Sequence, residues 1–336
     1  MGVHPTSNPP PARRMIAGLM VASFVAGVGA SIALTNGYLP ELPSATAAAP
    51  PGVRAYELEI RAADIEVATG AVWHAWTFNG TVPGPMITAT AGEVLQITVR
   101  NRHDLVHSFH THLSPYTLEN DGSQMNPITA IAGMAMIAPG ESYTYEFRHL
   151  APGVYYYHCH SAHGGHTIQQ HIAQGLYGAI VIRAPDELKV RDEAIFMAER
   201  GMDIDGDGAP FYIMNGKGIP GGEHALEEIF ANDGLPGVAA QLGKTVPVFN
   251  LKVGESVRFT VVNIGDQIHS FHVHGMNMVS VDMYPGRMHP ANVVPLVPGA
   301  ADRVILTPQN PGLWLFHCHV VSHADMGMIG VMNVEA

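Results

Sequence analysis

Short segments in which hydrophobic and polar residues alternate occur at intervals from about residue 53 onward. They cover residues 56–60, 87–90, 94–99 and 143–147, and a fully hydrophobic segment follows at residues 178–182. Alternation with a period of two places every second side chain on one face, as in half-buried β-strands. Turn-forming pairs such as Asn79-Gly80 and Pro139-Gly140 separate these segments, and no long helical period interrupts them. The pattern predicts a β-sandwich over residues 53–184.

The second half of the chain repeats the first. Three segments recur in the same order: residues 92–99 at 254–261, residues 107–112 at 269–274, and residues 152–160 at 311–319. The first two are displaced by 162 residues and the third by 159. A repeat at a nearly constant spacing indicates two copies of one structural unit. The sequence therefore predicts an all-β protein with a second sandwich over residues 201–336 and a charged connector at residues 185–200.

An apolar segment precedes the first predicted sandwich. Residues 15–34 form a run of 20 residues without a charged side chain, and Arg13-Arg14 stand directly before it. Such a run can span a bilayer, and the preceding arginines favour a cytoplasmic N-terminus. Ala45-Thr46-Ala47 also resembles a signal-peptide cleavage site, so a membrane anchor and a removed signal peptide both remain open. Residues 1–52 are predicted to be this segment and a tether, and the sandwiches are expected outside the cytoplasm (periplasmic, at the cell surface or secreted).

The composition fits globular domains. Of the 336 residues, 47% are hydrophobic and 14% are charged. A chain of this length is expected to form two domains, each with its own core. The net charge is −12 and no basic run occurs after residue 14, which argues against nucleic acid as a partner.

Each of the two cysteines, Cys159 and Cys318, stands between two histidines. A disulfide between them would remove the thiolate from two identical His-Cys-His motifs. Both cysteines are therefore predicted to be metal-binding thiolates. The second motif continues with His323 and Met328. A thiolate with two imidazoles and a distant thioether is the ligand set of a blue-copper electron-transfer site. Because neighbouring side chains of a strand point to opposite faces, Cys318 can bind one copper ion while the histidines beside it reach a second centre.

Four His-x-His pairs occupy matching positions of the repeat. They are His110/His112, His158/His160, His272/His274 and His317/His319. A single pair indicates a metal site only weakly, whereas four pairs in register, two of which enclose cysteines, indicate it strongly. Eight neutral imidazoles carried by extended strands are suited to a cluster of copper ions.

In these motifs the chain resembles the multicopper oxidases, and within them the two-domain laccase-like group. The resemblance covers about residues 70–335 and implies two tandem cupredoxin-like Greek-key β-sandwich domains. It also implies that the His-x-His pairs hold a trinuclear copper cluster that reduces dioxygen to water. By this resemblance, His110 and His272 bind the single type 2 copper. The type 3 pair is then bound by His112, His158, His160, His274, His317 and His319.

The resemblance further implies a blue (type 1) copper site in each domain. In the second domain its ligands are His269, Cys318, His323 and Met328. In the first domain His107 and Cys159 match, and the second histidine is to be chosen from His163, His166 and His171. The string His171-x-x-x-Gly175-Leu176 mirrors His323-x-x-x-Gly327-Met328, which favours His171 and places Leu176 where an axial thioether would stand.

Many two-domain relatives keep a blue copper in only one domain. This chain departs from them by keeping both ligand sets, which leaves open the copper that accepts electrons. The other histidines are interpreted as surface or loop residues, namely His74, His103, His149, His224 and His289. Four acidic residues near the histidine pairs are interpreted as turn residues rather than proton donors, namely Asp104, Glu119, Asp121 and Asp266.

The resemblance also implies a homotrimer. In the two-domain relatives each cluster forms between domain 1 of one chain and domain 2 of the next, and such head-to-tail contacts close into a ring. The electron donor (a phenol, a metal ion or a protein) cannot be identified from the sequence. Electrons from it would pass from each blue copper through the adjoining His-Cys-His segment to the cluster.

Two other functions fit parts of the pattern. Copper-containing nitrite reductases also pair two cupredoxin domains, but that family has an aspartate at the position of His110 and no cysteine at the position of Cys318. A tandem electron carrier would need only the blue-copper ligands and would leave the eight paired histidines without a role.

Overall fold

The computed structural model describes residues 52–123, 125–126, 131–132, 135–187, 189–200, 211–281 and 288–336. Residues 1–51, which contain the predicted anchor or signal segment, lie outside this part of the chain. None of the helices within the described ranges combines the length and hydrophobicity needed to cross a bilayer.

Two sheets form the first half, referred to below as the first sandwich. Its strands are β1 (Val53–Ala68), β2 (Ala71–Phe78), β3 (Ile87–Thr90), β4 (Val94–Asn101), β5 (His110–Thr111), β6 (Met125–Asn126), β7 (Ile131–Ala132), β8 (Ser142–Phe147), β9 (Gly153–His158) and β10 (Tyr177–Arg183). One sheet has the order β2-β1-β4-β8 and the other β3-β10-β9-β5, while β6 pairs with β7. β1 runs parallel to β4 and β3 parallel to β10, so each sheet joins strands that are distant in sequence.

The second half, referred to below as the second sandwich, repeats this arrangement with more strands in each sheet. Its strands are β11 (Arg191–Arg200), β12 (Phe211–Met214), β13 (Val248–Lys252), β14 (Val257–Asn263), β15 (His269–Val273), β16 (Met278–Val281), β17 (Met288–Ala291), β18 (Val293–Leu296), β19 (Ala301–Leu306), β20 (Gly312–Cys318) and β21 (Ile329–Glu335). The sheets have the orders β12-β11-β14-β19-β16-β17 and β13-β21-β20-β15-β18. The predicted all-β fold of two cupredoxin-like sandwiches is confirmed.

The segment predicted as a charged connector contributes a strand. β11 pairs in parallel with β14 and antiparallel with β12. Its charges do not prevent this, because the buried Arg258 on β14 donates from Nε to Asp192 at 2.5 Å and also pairs with Glu187. Residues 191–200 of the predicted connector thus form a strand, while the connector and the domain boundaries stay predictions.

Two short helices occupy equivalent places after the strands that end in the cysteine motifs. They are α1 (Ile168–Ala173) and α3 (Val321–Asp325), and the longer α2 (Gly222–Gln241) lies between them in sequence. α1 begins with a capping box in which Thr167 and Gln170 each bond the other's backbone N–H through their side chains. This cap determines where α1 begins and thereby where His171 lies.

Each sandwich packs its cysteine into a hydrophobic core. Tyr157 and Phe316, two residues before the cysteines, point to the same core face and are fully buried. Each ring lies directly over a glycine of the adjacent strand, Gly178 or Gly330, where a Cβ would overlap the ring. This close approach sets the register of β9 and β20, so that the cysteines face the core and the flanking histidines face the other way.

Candidate metal centres

Two histidines and a cysteine meet in the first sandwich. His107 precedes β5, Cys159 follows β9 and His171 lies in α1, and all three side chains are fully buried. The two Nδ1 atoms are 3.2 Å apart, and they lie 3.6 Å (His107) and 3.4 Å (His171) from the Sγ atom. A point equidistant from the three atoms lies about 2 Å from each, the length of a bond between a metal ion and a histidine nitrogen. These residues form the first trigonal site, which fits one metal ion.

An equivalent second trigonal site lies in the second sandwich. His269 on β15, Cys318 at the end of β20 and His323 on α3 are all buried. The two Nδ1 atoms are 3.1 Å apart and lie 3.8 and 3.7 Å from the Sγ atom. The spacing again leaves room for one ion bound by three ligands at about 2 Å.

The three candidates for the second histidine of the first site differ in position. His171 lies within the trigonal group, whereas the ring of His166 lies 6.1 Å from that of His171, measured between centroids. Among the described residues, neither His166 nor His163 belongs to a group of converging ligand atoms. The structure therefore brings His171 to the position that the internal repeat favours.

Leu176 and Met328 occupy matching positions in the two sandwiches. Both side chains are fully buried, and each residue's carbonyl accepts the backbone N–H of the neighbouring cysteine, at 3.0 and 3.1 Å respectively. The preceding residues, Gly175 and Gly327, have φ of 114° and 115°, a backbone conformation that favours glycine. The same backbone position thus carries an alkyl side chain in the first sandwich and a thioether in the second.

The paired histidines of the first sandwich converge on the other side of the cysteine strand. The Nε2 atoms of His112 and His158 are 3.3 Å apart, and the ring centroids of His110 and His160 are 4.8 Å apart. Ligand atoms of His110, His112 and His158 all lie within 4.8 Å of one another. These four residues are referred to below as the first histidine set.

The second histidine set consists of His272, His274, His317 and His319. The Nε2 atoms of His274 and His317 are 3.0 Å apart, and the ring centroids of His272 and His319 are 5.1 Å apart. Within the described ranges, no ring contact or hydrogen bond joins a histidine of one set to a histidine of the other. Each chain therefore presents two separate groups of four imidazoles.

Backbone carbonyls orient four of these rings. The Nδ1–H donors and their acceptors are His110 to Asp121 (2.6 Å), His158 to Cys159 (3.0 Å), His272 to Asn292 (2.8 Å) and His317 to Cys318 (2.8 Å). Because a carbonyl oxygen only accepts, Nδ1 carries the hydrogen in each ring. Nε2 is then the ring nitrogen that can bind a metal ion.

Burial makes these side chains suitable ligands. It lowers the pKa of His107 to about 2, of His158 to about 3 and of His171 to about 4, with neighbouring histidines acting in the same direction. Burial also raises the pKa of the Cys159 thiol to about 11, so this thiol stays protonated until a metal ion binds its sulfur and displaces the proton to solvent. Among the residues that the structure describes, none forms a hydrogen bond with the buried Nδ1 atom of His160, which fits a ligand atom.

Two residues that sequence reasoning missed contact the remote nitrogens of trigonal-site ligands. His107 Nε2 lies 3.0 Å from His103 Nδ1, and His269 Nε2 lies 3.0 Å from Glu199 Oε2. His103, interpreted from the sequence as a surface or loop residue, lies in a loop, but only 9% of its side chain is exposed. Burial acts to lower the pKa of His269, but its hydrogen bonds to Cys318 and Glu199 outweigh this and raise it.

A cavity of about 520 Å³ opens beside the first histidine set. Its opposite wall comes from the second sandwich and includes Glu199, Asp266 and Gly299. Tyr156, which packs on His112 with 4.1 Å between ring centroids, donates its hydroxyl to the carbonyl of Gly299 at 2.9 Å. Glu199 therefore lies between the second trigonal site and the cavity that holds the first histidine set.

We expect the metal-free protein to lose stability as the pH falls below the ordinary histidine pKa of 6.5. The unfolded chain binds protons that the folded chain excludes at His107, His158 and His171, whose pKa values are lowered to between about 2 and about 4. Their stabilising effect is thus complete above pH 6.5 and is lost as the pH falls. Each group contributes up to about 1.4 kcal/mol per pH unit, and the raised pKa of His269 offsets part of the total.

Denaturant unfolding of the metal-free protein between about pH 7 and pH 5 measures this dependence. The variant His107→Gln should flatten it, whereas His74→Gln, at an exposed position, should leave it unchanged. A free energy of unfolding that stays constant over this range would contradict the burial of neutral histidines.

Comparison with known proteins gives two kinds of relatives. Family models described as multicopper oxidase match residues 59–187 and 224–336. A copper-containing nitrite reductase of Neisseria meningitidis is 26% identical over 89% of this chain and 74% of that protein. A multicopper oxidase of Mycobacterium tuberculosis is 28% identical over 70% of this chain and 47% of that protein, so the chain spans about half its length. A crystal structure of a multicopper oxidase aligns with a TM-score of 0.65 at 27% identity, over 84% of this chain and 89% of that one.

Proposed function

We propose a function for this chain from the premise that it belongs to the multicopper oxidases and binds copper. In this proposal, it couples the one-electron oxidation of a reducing substrate to the four-electron reduction of dioxygen to water. The observation that carries the proposal is the pair of matching histidine sets beside two trigonal sites. A carrier of single electrons needs only the trigonal sites. Eight further imidazoles suit a centre where several electrons are collected for dioxygen.

The chain's own residues hold and connect these centres, while bound copper would supply the one-electron redox chemistry. Cys159 belongs to the first trigonal site and is covalently joined to His158 and His160 of the first histidine set. The hydrogen bond from His158 Nδ1 to the carbonyl of Cys159 adds a second connection of 3.0 Å. The second sandwich repeats both connections, so each trigonal site has a short path to its own histidine set.

The proposal includes a homotrimer in which the first histidine set of one chain meets the second set of the next. Two observations support it: the two sets make no contact within the described part of one chain, and His112 and His319 are exposed on the surface. A neighbouring copy would cover these rings and complete the cluster. An extracytoplasmic location is also proposed, on the basis of the apolar residues 15–34 behind Arg13-Arg14.

Nitrite reduction is the second candidate, because a copper-containing nitrite reductase is among the relatives. Two residues argue against nitrite reduction. His110 stands where the nitrite reductases have an aspartate, and it offers an imidazole to the first histidine set. Cys318 completes a second trigonal site, for which nitrite reductases have no cysteine.

An acceptor assay separates the two functions. The copper-loaded protein is supplied in turn with a phenol, a ferrous salt, a cuprous salt and a reduced electron-transfer protein, with either dioxygen or nitrite as acceptor. We expect oxygen uptake without release of peroxide for at least one donor, and no comparable loss of nitrite. The matched variant His112→Gln should stop oxygen uptake and keep the blue absorption, and nitrite loss in place of oxygen uptake would overturn the proposal.

Copper analysis should find five ions per chain: one for each of the two trigonal sites and three for the cluster. Cys159→Ser and Cys318→Ser should each remove one ion, and the double variant should retain three without blue absorption. Wild-type protein with two copper ions per chain would contradict the cluster and favour an electron carrier.

A further inference from the structure

The loop before the first histidine of each trigonal site exists in two copies. Residues 101–107 and 263–269 are displaced by the same 162 residues. Each loop begins with a buried asparagine whose Nδ2 donates to two carbonyls: Asn101 to Leu105 (2.7 Å) and Ile137 (2.8 Å), and Asn263 to Gln267 (2.6 Å) and Leu296 (3.0 Å). The two loop backbones are therefore held in the same way. At the third position, however, the first loop has His103 and the second has Gly265.

This difference decides which group contacts the metal-binding histidine. In the first sandwich His103 itself bonds the Nε2 of His107. In the second sandwich a Cβ at Gly265 would overlap the Glu199 carboxylate, so a side chain at position 265 and this placement of Glu199 exclude each other. Glu199, which arrives from β11, bonds the Nε2 of His269 at 3.0 Å. A neutral imidazole in one site is thus replaced by a carboxylate in the other.

The Glu199 carboxylate is held by three donors. Its Oε1 accepts the backbone N–H groups of Asp266 and Gln267, the latter at 3.0 Å, and its Oε2 accepts from His269. Only 11% of this side chain is exposed. The first site also has a carboxylate nearby, Asp104, but that side chain is 89% exposed and lies behind His103. Water screens an exposed charge far more than a buried one.

We propose that Glu199 is a positioning residue that lowers the reduction potential of the copper bound by Cys318. The proposal rests on the trigonal copper sites of the proposed function. A carboxylate that accepts from the remote N–H of a metal-bound imidazole makes that ligand more basic and fixes its orientation. A buried negative charge also favours the doubly charged cupric ion over the cuprous ion. His103 can orient His107 through its own hydrogen bond, but as a neutral imidazole it brings no negative charge to the first site.

The direct test is Glu199→Gln in a Cys159→Ser background, where only the second trigonal site is blue. Redox titration of the blue absorption should show the ratio of cuprous to cupric copper raised at least about tenfold at a given potential, which corresponds to about 59 mV for one electron. Glu199→Asp, which retains the charge, should stay closer to the parent protein. Equal shifts in both variants would point to packing instead of charge and overturn the proposal, as would an unchanged or lowered potential in Glu199→Gln.

A reciprocal variant keeps the proposal testable if Glu199→Gln binds no copper. His103→Glu in a Cys318→Ser background introduces a carboxylate at the first site. We expect it to lower the ratio of cuprous to cupric copper at that site several-fold. Asp104→Asn in the same background is the control and should leave the ratio unchanged. A ratio that His103→Glu raises or leaves unmoved would contradict the proposal.

The result does not depend on the electron acceptor, because the titrations are performed without oxygen. Absence of blue absorption in the Cys159→Ser protein would overturn the second copper site and with it the proposed function. Blue absorption with an unmoved potential in Glu199→Gln would overturn only the inference about Glu199.

Discussion

Mixing two inactive variants is expected to restore oxidase activity. In the first variant His110 and His112 are replaced by glutamine, and in the second His317 and His319 are replaced. Each variant alone lacks ligands in every cluster, and we expect its oxygen uptake to fall by at least roughly a hundredfold, since even an outer-shell partner of a metal ligand can cost that much. After random exchange of subunits in an equal mixture, about a quarter of the head-to-tail interfaces would join two intact sets. The mixture should therefore recover about a quarter of the wild-type rate.

The matched control combines two variants that damage the same set, one at His110 and His112 and the other at His158 and His160. No interface in that mixture contains two intact sets, so no activity should return. His110 and His112 lie outside the trigonal sites, so the variant that lacks them should keep its blue absorption, which shows that it is folded. If affinity-tagged copies prove that subunits exchange and the first mixture remains inactive, the cluster lies within one chain and the trimer proposal is wrong.

Met328→Leu should raise the reduction potential of the copper bound by Cys318. A thioether donates electron density and favours cupric copper, whereas an alkyl side chain leaves the ion with three ligands and favours cuprous copper. The first sandwich already has Leu176 at the matching buried position. We expect at least about a tenfold change in the ratio of the two oxidation states, or about 59 mV. The copper bound by Cys159 should have the higher potential in the native protein, so electrons should reside there preferentially.

Redox titration in the Cys159→Ser background measures this change, and Leu176→Met in the Cys318→Ser background is its mirror image, with a lowered potential expected. A native Cys318 copper with the higher potential, or one that Met328→Leu does not move, would contradict the axial argument.

The trigonal sites could be predicted because their ligands recur in a repeat. His171 was one of three histidines close in sequence, and composition alone does not distinguish it from His163 or His166. The match with His323, including the glycine four residues later, pointed to the residue that the structure places beside His107 and Cys159. The same repeat also singles out His103, because the matching position in the second half is Gly265. A histidine outside a His-x-His pair gives no signal unless it is compared with its counterpart in the repeat.

Glu199 could not be found in this way. It lies in a segment that has charged residues at both ends and a continuous apolar run between them, and this segment has no counterpart motif in the first half of the chain. Its approach to His269 depends on the parallel pairing of β11 with β14, a contact between segments that are far apart in sequence. Local patterns indicate that a segment is a strand more readily than they indicate which strand lies beside it. The separation of the two histidine sets could not be predicted either. Both sets consist of the same His-x-His pairs, and only the folded chain shows that the two sets lie apart.

The exposure of His112 and His319 has a consequence for how an active protein is made. If the proposed trimer forms, a newly synthesised subunit would present each incomplete histidine set to the first transition-metal ion that it meets. Imidazole groups bind zinc and nickel as well as copper, and copper wins mainly when all three compete at equilibrium. Closure of the ring would seal the centre and end that competition. Whether the trimer is active would then depend on whether copper is delivered before the subunits assemble. The relative affinities of the histidine sets for different metal ions would matter less.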